Sequence, residues 1–153
     1  MKQPIRKLNE AARAAATKPL RHVVAALILR GEGSAPEVLV CQRRPDQPMG
    51  NKWEFPGGKV EQGETAEVAL ARELNEELGI TATIGRRLAI VRHSYRNGST
   101  IEIQFFVVDG FTGELDNRIF LDMRWSPLAD LPSFDFLAAD LTLIHDLAEG
   151  KLL

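Results

Sequence analysis

The chain is poor in several things that would point elsewhere. Cys41 is the only cysteine in 153 residues, so an internal disulfide is excluded and a reducing cytosol fits. It lies in the apolar run EVLVCQ and reads as a buried strand residue rather than a nucleophile. No apolar stretch approaches the roughly 20 residues of a membrane span. Excess positive charge is missing too: a net charge of −2 gives no basic footprint for long nucleic acid. Neither an internal repeat nor a low-complexity segment occurs. What remains is the length and apolar content of one globular domain able to bury a core.

Residues 1–20 are expected to form an N-terminal extension, helical or partly disordered. The stretch IRKLNEAARAAATK is Ala-rich and basic, but Glu10 and its lack of serine count against a transit peptide. The domain proper is expected over residues 21–153. HVVAALILR is a continuous β-branched run suited to a strand buried on both faces. EVLVCQRR follows a Gly/Pro turn, so the two are expected to pair as a hairpin. Thr65 is placed to cap a helix that runs to Leu78 and stops at Gly79. Strands are expected in ATIGRRLAIVRHSY (interrupted around Gly85), in TIEIQFFVVDG after an Asn-Gly turn, and around Met123 to Trp125. Leu137, Leu141, Ile144 and Leu147 have helical spacing in the last segment. The fold class is therefore α/β, a mixed sheet sandwiched between helices.

The central helix carries the chemistry. Glu73, Glu76 and Glu77 stand at i, i+3 and i+4, neighbours on one helix face, behind the Gly57-Gly58 turn. Three carboxylates that close repel one another, and a hard divalent cation such as Mg²⁺ reverses that cost. Leu70, Leu74, Leu78 and Ala71 form the adjacent apolar arc. Ala66 and Ala69 are expected to leave room over the carboxylates. Arg72, four residues before Glu76, can pair with it and fix its rotamer. A solvated acidic face is the plain alternative for such a cluster, and Glu64 in the preceding loop weighs against it by adding a fourth carboxylate.

Gly58, Glu64, Arg72, Glu73, Leu74, Glu76, Glu77, Gly79 and Ile80 match the Nudix box, G-x5-E-x7-R-E-U-x-E-E-x-G-U with U a bulky aliphatic, at every constrained position. The chain thus resembles the Nudix hydrolases, and WEFPGGKVEQGET resembles their MutT branch. The resemblance implies an α/β/α sandwich with a strand-loop-helix catalytic motif. It also implies hydrolysis of (deoxy)nucleoside triphosphates, non-standard or oxidised (8-oxo-dGTP-like), to the monophosphate and pyrophosphate. Mg²⁺, with Mn²⁺ as substitute, would be bound by Glu73, Glu76, Glu77 and the carbonyl of Gly57. Glu64 would support it and Arg72 would orient a glutamate. The residue that takes the proton from water is left open.

Further site residues follow from the same resemblance. Arg44 and Lys59 would reach substrate phosphates and Phe55 would line the base pocket. Asp135 would stand where MutT proteins carry a base-reading asparagine, or would only cap the last helix. Arg44 as a solvated charge and Phe55 as core packing are the plain alternatives. The loop glutamate that some relatives use outside the box has no match, Asp122 being the nearest acid. A dinucleoside polyphosphate hydrolase is the alternative activity, with Tyr95 as its one pointer. A non-catalytic nucleotide sensor is disfavoured because every box glutamate is kept. The partner is a small-molecule nucleotide, with no long nucleic acid and no membrane, in a cytoplasmic monomer or homodimer.

Overall fold

The computed structural model describes residues 20–31 and 35–153. The expected extension, except for Leu20, lies outside the described residues. In chain order the elements are β1 (Arg21–Leu27), β2 (Leu29–Arg30), β3 (Glu37–Gln42), β4 (Trp53–Glu54), β5 (Gly57–Lys59), α1 (Ala66–Leu78), β6 (Thr81–Ser94), β7 (Thr100–Thr112), β8 (Asp122–Pro127), two 3₁₀ turns (Leu128–Ser133, Ala138–Asp140) and α2 (Leu141–Ala148).

β1 takes an inner position in a mixed sheet ordered β5-β1-β7-β6, antiparallel to β5 and parallel to β7. Its uninterrupted apolar sequence explains the place, because a strand buried on both faces needs neighbours on both edges. Val24, Ala26 and Ile28 enter a core under α1, together with Leu70, Leu74, Leu78 and Phe106. Ala25 and Leu27 enter a second core on the other face, with Phe105, Leu131, Phe136, Leu143, Ile144 and Leu147. One sheet face therefore carries α1 and the other carries the C-terminal segment, which gives the α/β/α sandwich. Burying each of the three α1 leucines contributes about 1.5–3 kcal/mol.

The expected first hairpin is only partly formed. Both edges of β1 are taken by β5 and β7, so the chain breaks at Ile28 and only Leu29 and Arg30 pair with β3. β3 is the spine of a second, antiparallel sheet. β8 runs along one of its edges, while β2 and β4 follow each other along the other. β6 continues through Gly85, but its pairing with β7 shifts register between Thr83 and Ala89.

The last helix starts later than its leucine spacing predicts. Trp53 donates its N–H to the Asp135 carbonyl (2.9 Å) and accepts from the Leu137 N–H (3.0 Å). These bonds hold residues 135–137 extended beside β4. Leu141 is consequently exposed, and Leu143, Ile144 and Leu147 form the buried face.

Candidate active site

α1 begins and ends as its sequence dictates. The Thr65 hydroxyl accepts from the Val68 N–H at 3.2 Å, and Gly79 closes the helix in the left-handed region (φ 70°) with its N–H on the Asn75 carbonyl. Ala69, expected to leave space over the carboxylates, is fully buried in the core beneath them. Space for ligand comes instead from β5. A side chain at Gly57 would collide with the Val24 carbonyl, and one at Gly58 would collide with the Glu73 carboxylate. Two glycines thus let the Nudix-like turn lie flat against β1 on one side and the acidic helix on the other.

Arg72 organises the acids. Its guanidinium grips Glu64 with two bonds (2.8 and 2.9 Å), reaches Glu73 at 3.0 Å and Glu76 at 3.3 Å, and donates to the Lys59 carbonyl at 3.1 Å. That grip lowers the Glu64 pKa. Glu73 is raised by burial, with Arg72 pulling the other way. Glu77 is buried, and among the described residues its carboxylate accepts only from the Gly57 N–H, at 3.2 Å. Burial, with Glu73 and Glu54 adding repulsion, pushes it up to about 9. Among the described residues no three acids converge as a ready-made metal cage, because Arg72 occupies the middle of the group. The donor set nevertheless fits a hard cation: four carboxylates meet at one helix face, and the most buried of them lacks a charged partner. The oxygen donors of Glu73, Glu76 and Glu77 suit a hard divalent cation.

Beside this cluster opens a cavity of about 410 Å³. Gly57, Gly58, Lys59, Glu77 and Phe55 line it, as do Val23, Ala25, Ile101 and Ile103 of the mixed sheet. Phe55 lines the cavity and also packs edge-on to Phe105 and against Phe136. Tyr95 lines the cavity as well, whereas Trp53 and Trp125 do not. Trp53 packs on Phe134, and Trp125 lies under Arg30.

Two expected residues fall outside the cavity and two others take their places. Arg44 is exposed and pairs with Asp46 at 3.5 Å, while Arg43 lines the cavity and holds Glu54 at 2.8 Å and the Pro48 carbonyl at 2.9 Å. Both arginines follow the end of β3, where strand alternation no longer tells which of the two points inward. Asp135 is exposed and forms an ion pair with Lys52 at 2.7 Å. It does not cap the final helix, whose N-cap position is Asp140. Asp140 lines the cavity and is 4% exposed; its N–H donates to the Leu137 carbonyl at 2.9 Å, while its carboxylate has no hydrogen-bond or ion-pair partner among the described residues. Burial, with Glu54 adding repulsion, pushes it up to about 7. Its signal in the sequence was an acid placed four residues before Ile144 and seven before Leu147, on the buried side of an otherwise apolar segment.

Comparison with known proteins agrees with this geometry. The family model described as the NUDIX domain matches residues 19–147. The 8-oxo-dGTP diphosphatase of Escherichia coli K12 is 35% identical over 124 residues, 81% of this chain and 94% of that protein. The CTP pyrophosphohydrolase of the same strain is 35% identical over 123 residues, 80% of this chain and 87% of that protein. The solution structure of the E. coli ORF135 protein superposes with a TM-score of 0.74 at 32% identity, covering 85% of this chain and 89% of that one. With its box helix, its two-glycine turn and its adjoining cavity in place, the chain belongs to the NUDIX domain family.

Proposed function

We propose that the chain hydrolyses nucleoside triphosphates to the monophosphate and pyrophosphate with Mg²⁺, acting on non-standard or oxidised nucleotides in the cytoplasm. The observation that carries this reading is the juxtaposition of two unlike acidic groups. One is the Arg72-centred cluster beside β5, and the other is the half-buried Glu54 with the buried Asp140 inside the adjoining cavity. A triphosphate carries about four negative charges and cannot approach bare carboxylates. Bound Mg²⁺ would bridge phosphate oxygens and lower the pKa of an attacking water. Glu73, Glu76, Glu77 and the Gly57 carbonyl would hold it, with Glu64 fixing Arg72 and Arg72 fixing the glutamates. Lys59 stands at the mouth to draw in the phosphates. Arg43 holds Glu54 and the 45–51 loop in place.

The base enters among Phe55, Ile101 and Ile103. In its ionised form Asp140 there is acceptor-only, so it selects a base edge that presents an N–H. Oxidised guanine offers N7–H, which guanine lacks, and cytosine offers its N4 amino group. The second reading, a cytidine triphosphate substrate, is favoured by that same acceptor. The E. coli relatives carry names of both kinds, 8-oxo-dGTP diphosphatase and CTP pyrophosphohydrolase.

The deciding experiment is a nucleotide panel with Mg²⁺, scored for pyrophosphate against orthophosphate. Pyrophosphate release from an oxidised-guanine or cytosine triphosphate, at least tenfold above the other triphosphates, is the expected result. Turnover of diadenosine tetraphosphate with inactivity on every triphosphate would replace the proposal by the dinucleoside polyphosphate alternative.

A further inference from the structure

Three cations line the cavity, and only one of them is engaged. Arg43 is bound to Glu54 and the Pro48 carbonyl. The side chains of Arg21 and Lys59 have no hydrogen bond or ion pair among the described residues. The sheet register brings these two together. Val23 pairs with Lys59, and Arg21 lies two residues before Val23 on the same strand. Arg21 and Lys59 therefore project from the same sheet face as diagonal neighbours, about 7–8 Å apart at the backbone. Both are exposed at the cavity mouth, whereas Asp140 and Phe55 are buried within it.

Two adjacent cations on one face repel each other, and no carboxylate of the cavity compensates them. The Lys59 carbonyl is the group that Arg72 grips at 3.1 Å, so this pair begins where the acidic cluster ends. A nucleotide whose base lies among the buried residues must run its phosphate chain outward past Lys59. The next group beyond is the Arg21 guanidinium, a planar fork that matches two phosphoryl oxygens. A neutral ribose would give such a cation nothing to pair with.

We infer that Arg21 is a specificity-determining residue of this site: with Lys59 it binds the terminal phosphoryl groups of the substrate, the part released as pyrophosphate. The inference rests on the triphosphate reading above and adds a residue outside the box that measures phosphate-chain length. No bond is made or broken by Arg21, which acts only as a binding group.

The test compares product inhibition in the wild type, Arg21→Ala and Arg21→Lys at fixed free Mg²⁺, using inorganic pyrophosphate and the nucleoside monophosphate product separately. In Arg21→Ala the inhibition constant for pyrophosphate should rise about fivefold to tenfold, the loss of one charge-assisted contact. That for the monophosphate should change by less than about twofold, with Arg21→Lys intermediate for pyrophosphate. Thermal unfolding of each variant should match the wild type, because the side chain is exposed. An unchanged pyrophosphate constant, or an equal loss for both products, would overturn the assignment. A wild type that turns over no triphosphate would defeat the triphosphate reading itself, whereas these other failures would remove Arg21 alone.

Discussion

The carboxylates beside β5 and those inside the cavity share a chemistry and live in opposite surroundings. Glu64, Glu73 and Glu76 are held by one guanidinium with contacts of 2.8 to 3.3 Å, and Arg72 is in turn fixed by them. Asp140 is more deeply buried than any of these, and its carboxylate has no partner among the described residues. The first group is a charge concentration kept in order until a stronger cation arrives. Asp140 is an acceptor to which the fold gives no side-chain donor, open to the cavity where a ligand can supply one. Glu77 stands between the two groups, buried like Asp140 and part of the cluster like Glu73. On the proposed reading, location in the fold, more than residue type, would decide whether an acid holds metal or reads a base.

The largest break in this comparison should come from the cluster. Glu76→Gln and Glu77→Gln should each lower kcat by roughly a hundredfold or more, because each removes a charged oxygen ligand. Folding should survive. Glu76 is exposed, and Gln resembles the protonated carboxyl that burial favours at Glu77. Near-normal turnover in both variants would remove the metal assignment. Mg²⁺ affinity supplies a second readout. Glu77 must lose its proton to bind the ion, and its pKa of about 9 without metal makes affinity rise with pH from about 7 to 9. Calorimetry at two pH values should show that slope in the wild type and its absence in Glu77→Gln.

Arg72 should follow. Its replacement by Ala should cost roughly tenfold to a hundredfold in kcat, as expected for a group that orients ligands. Lys should rescue little, since one ammonium cannot make the two-pronged contact with Glu64 and also reach Glu73. Rescue to wild-type rate by Lys would reduce Arg72 to a simple counter-charge.

Asp140→Asn should act on the cavity and leave the cluster intact. Replacing the acceptor should shift kcat/KM between bases by roughly tenfold to a hundredfold, with the rate dependence on Mg²⁺ unchanged. Stability gives an independent check. The folded protein raises Asp140 from its ordinary 3.8 to about 7, so between these values it binds more protons folded than unfolded. On this group's account stability falls as pH rises from about 4 to 7. The variant lacks that slope, so its advantage in Tm over the wild type should grow from pH 5 to pH 8. The gain corresponds to about 1 kcal/mol or more. An equal Tm difference at both pH values would show that Asp140 is not titrating there.

What was readable in the sequence follows the range of the interactions involved. The box helix, its cap at Thr65 and its stop at Gly79 depend on residues within a few positions of one another, and all were legible. The inner placement of β1 depended on β7, some eighty residues away, and the hairpin expected from sequence proximity was mostly displaced. The same applies to the site. Glu64, Arg72 and Glu73 come together within one local motif, whereas Asp140 enters the cavity only because β4 pins residues 135–137. The family resemblance had pointed to Asp135, which lies exposed beside β4.

The contrast between Asp135 and Asp140 gives the smallest expected effect and the most discriminating control. Asp135→Asn removes one partner of an exposed ion pair with Lys52, a contact contributing about 0–1 kcal/mol. The variant should keep its substrate profile within about twofold, and its Tm should move by no more than a few degrees. Asp140→Asn, five residues along the chain and chemically the same change, should alter base preference. If the two variants shifted preference alike, base reading would be a property of the whole 135–140 segment. If only Asp135→Asn did so, the cavity would not be where the base sits.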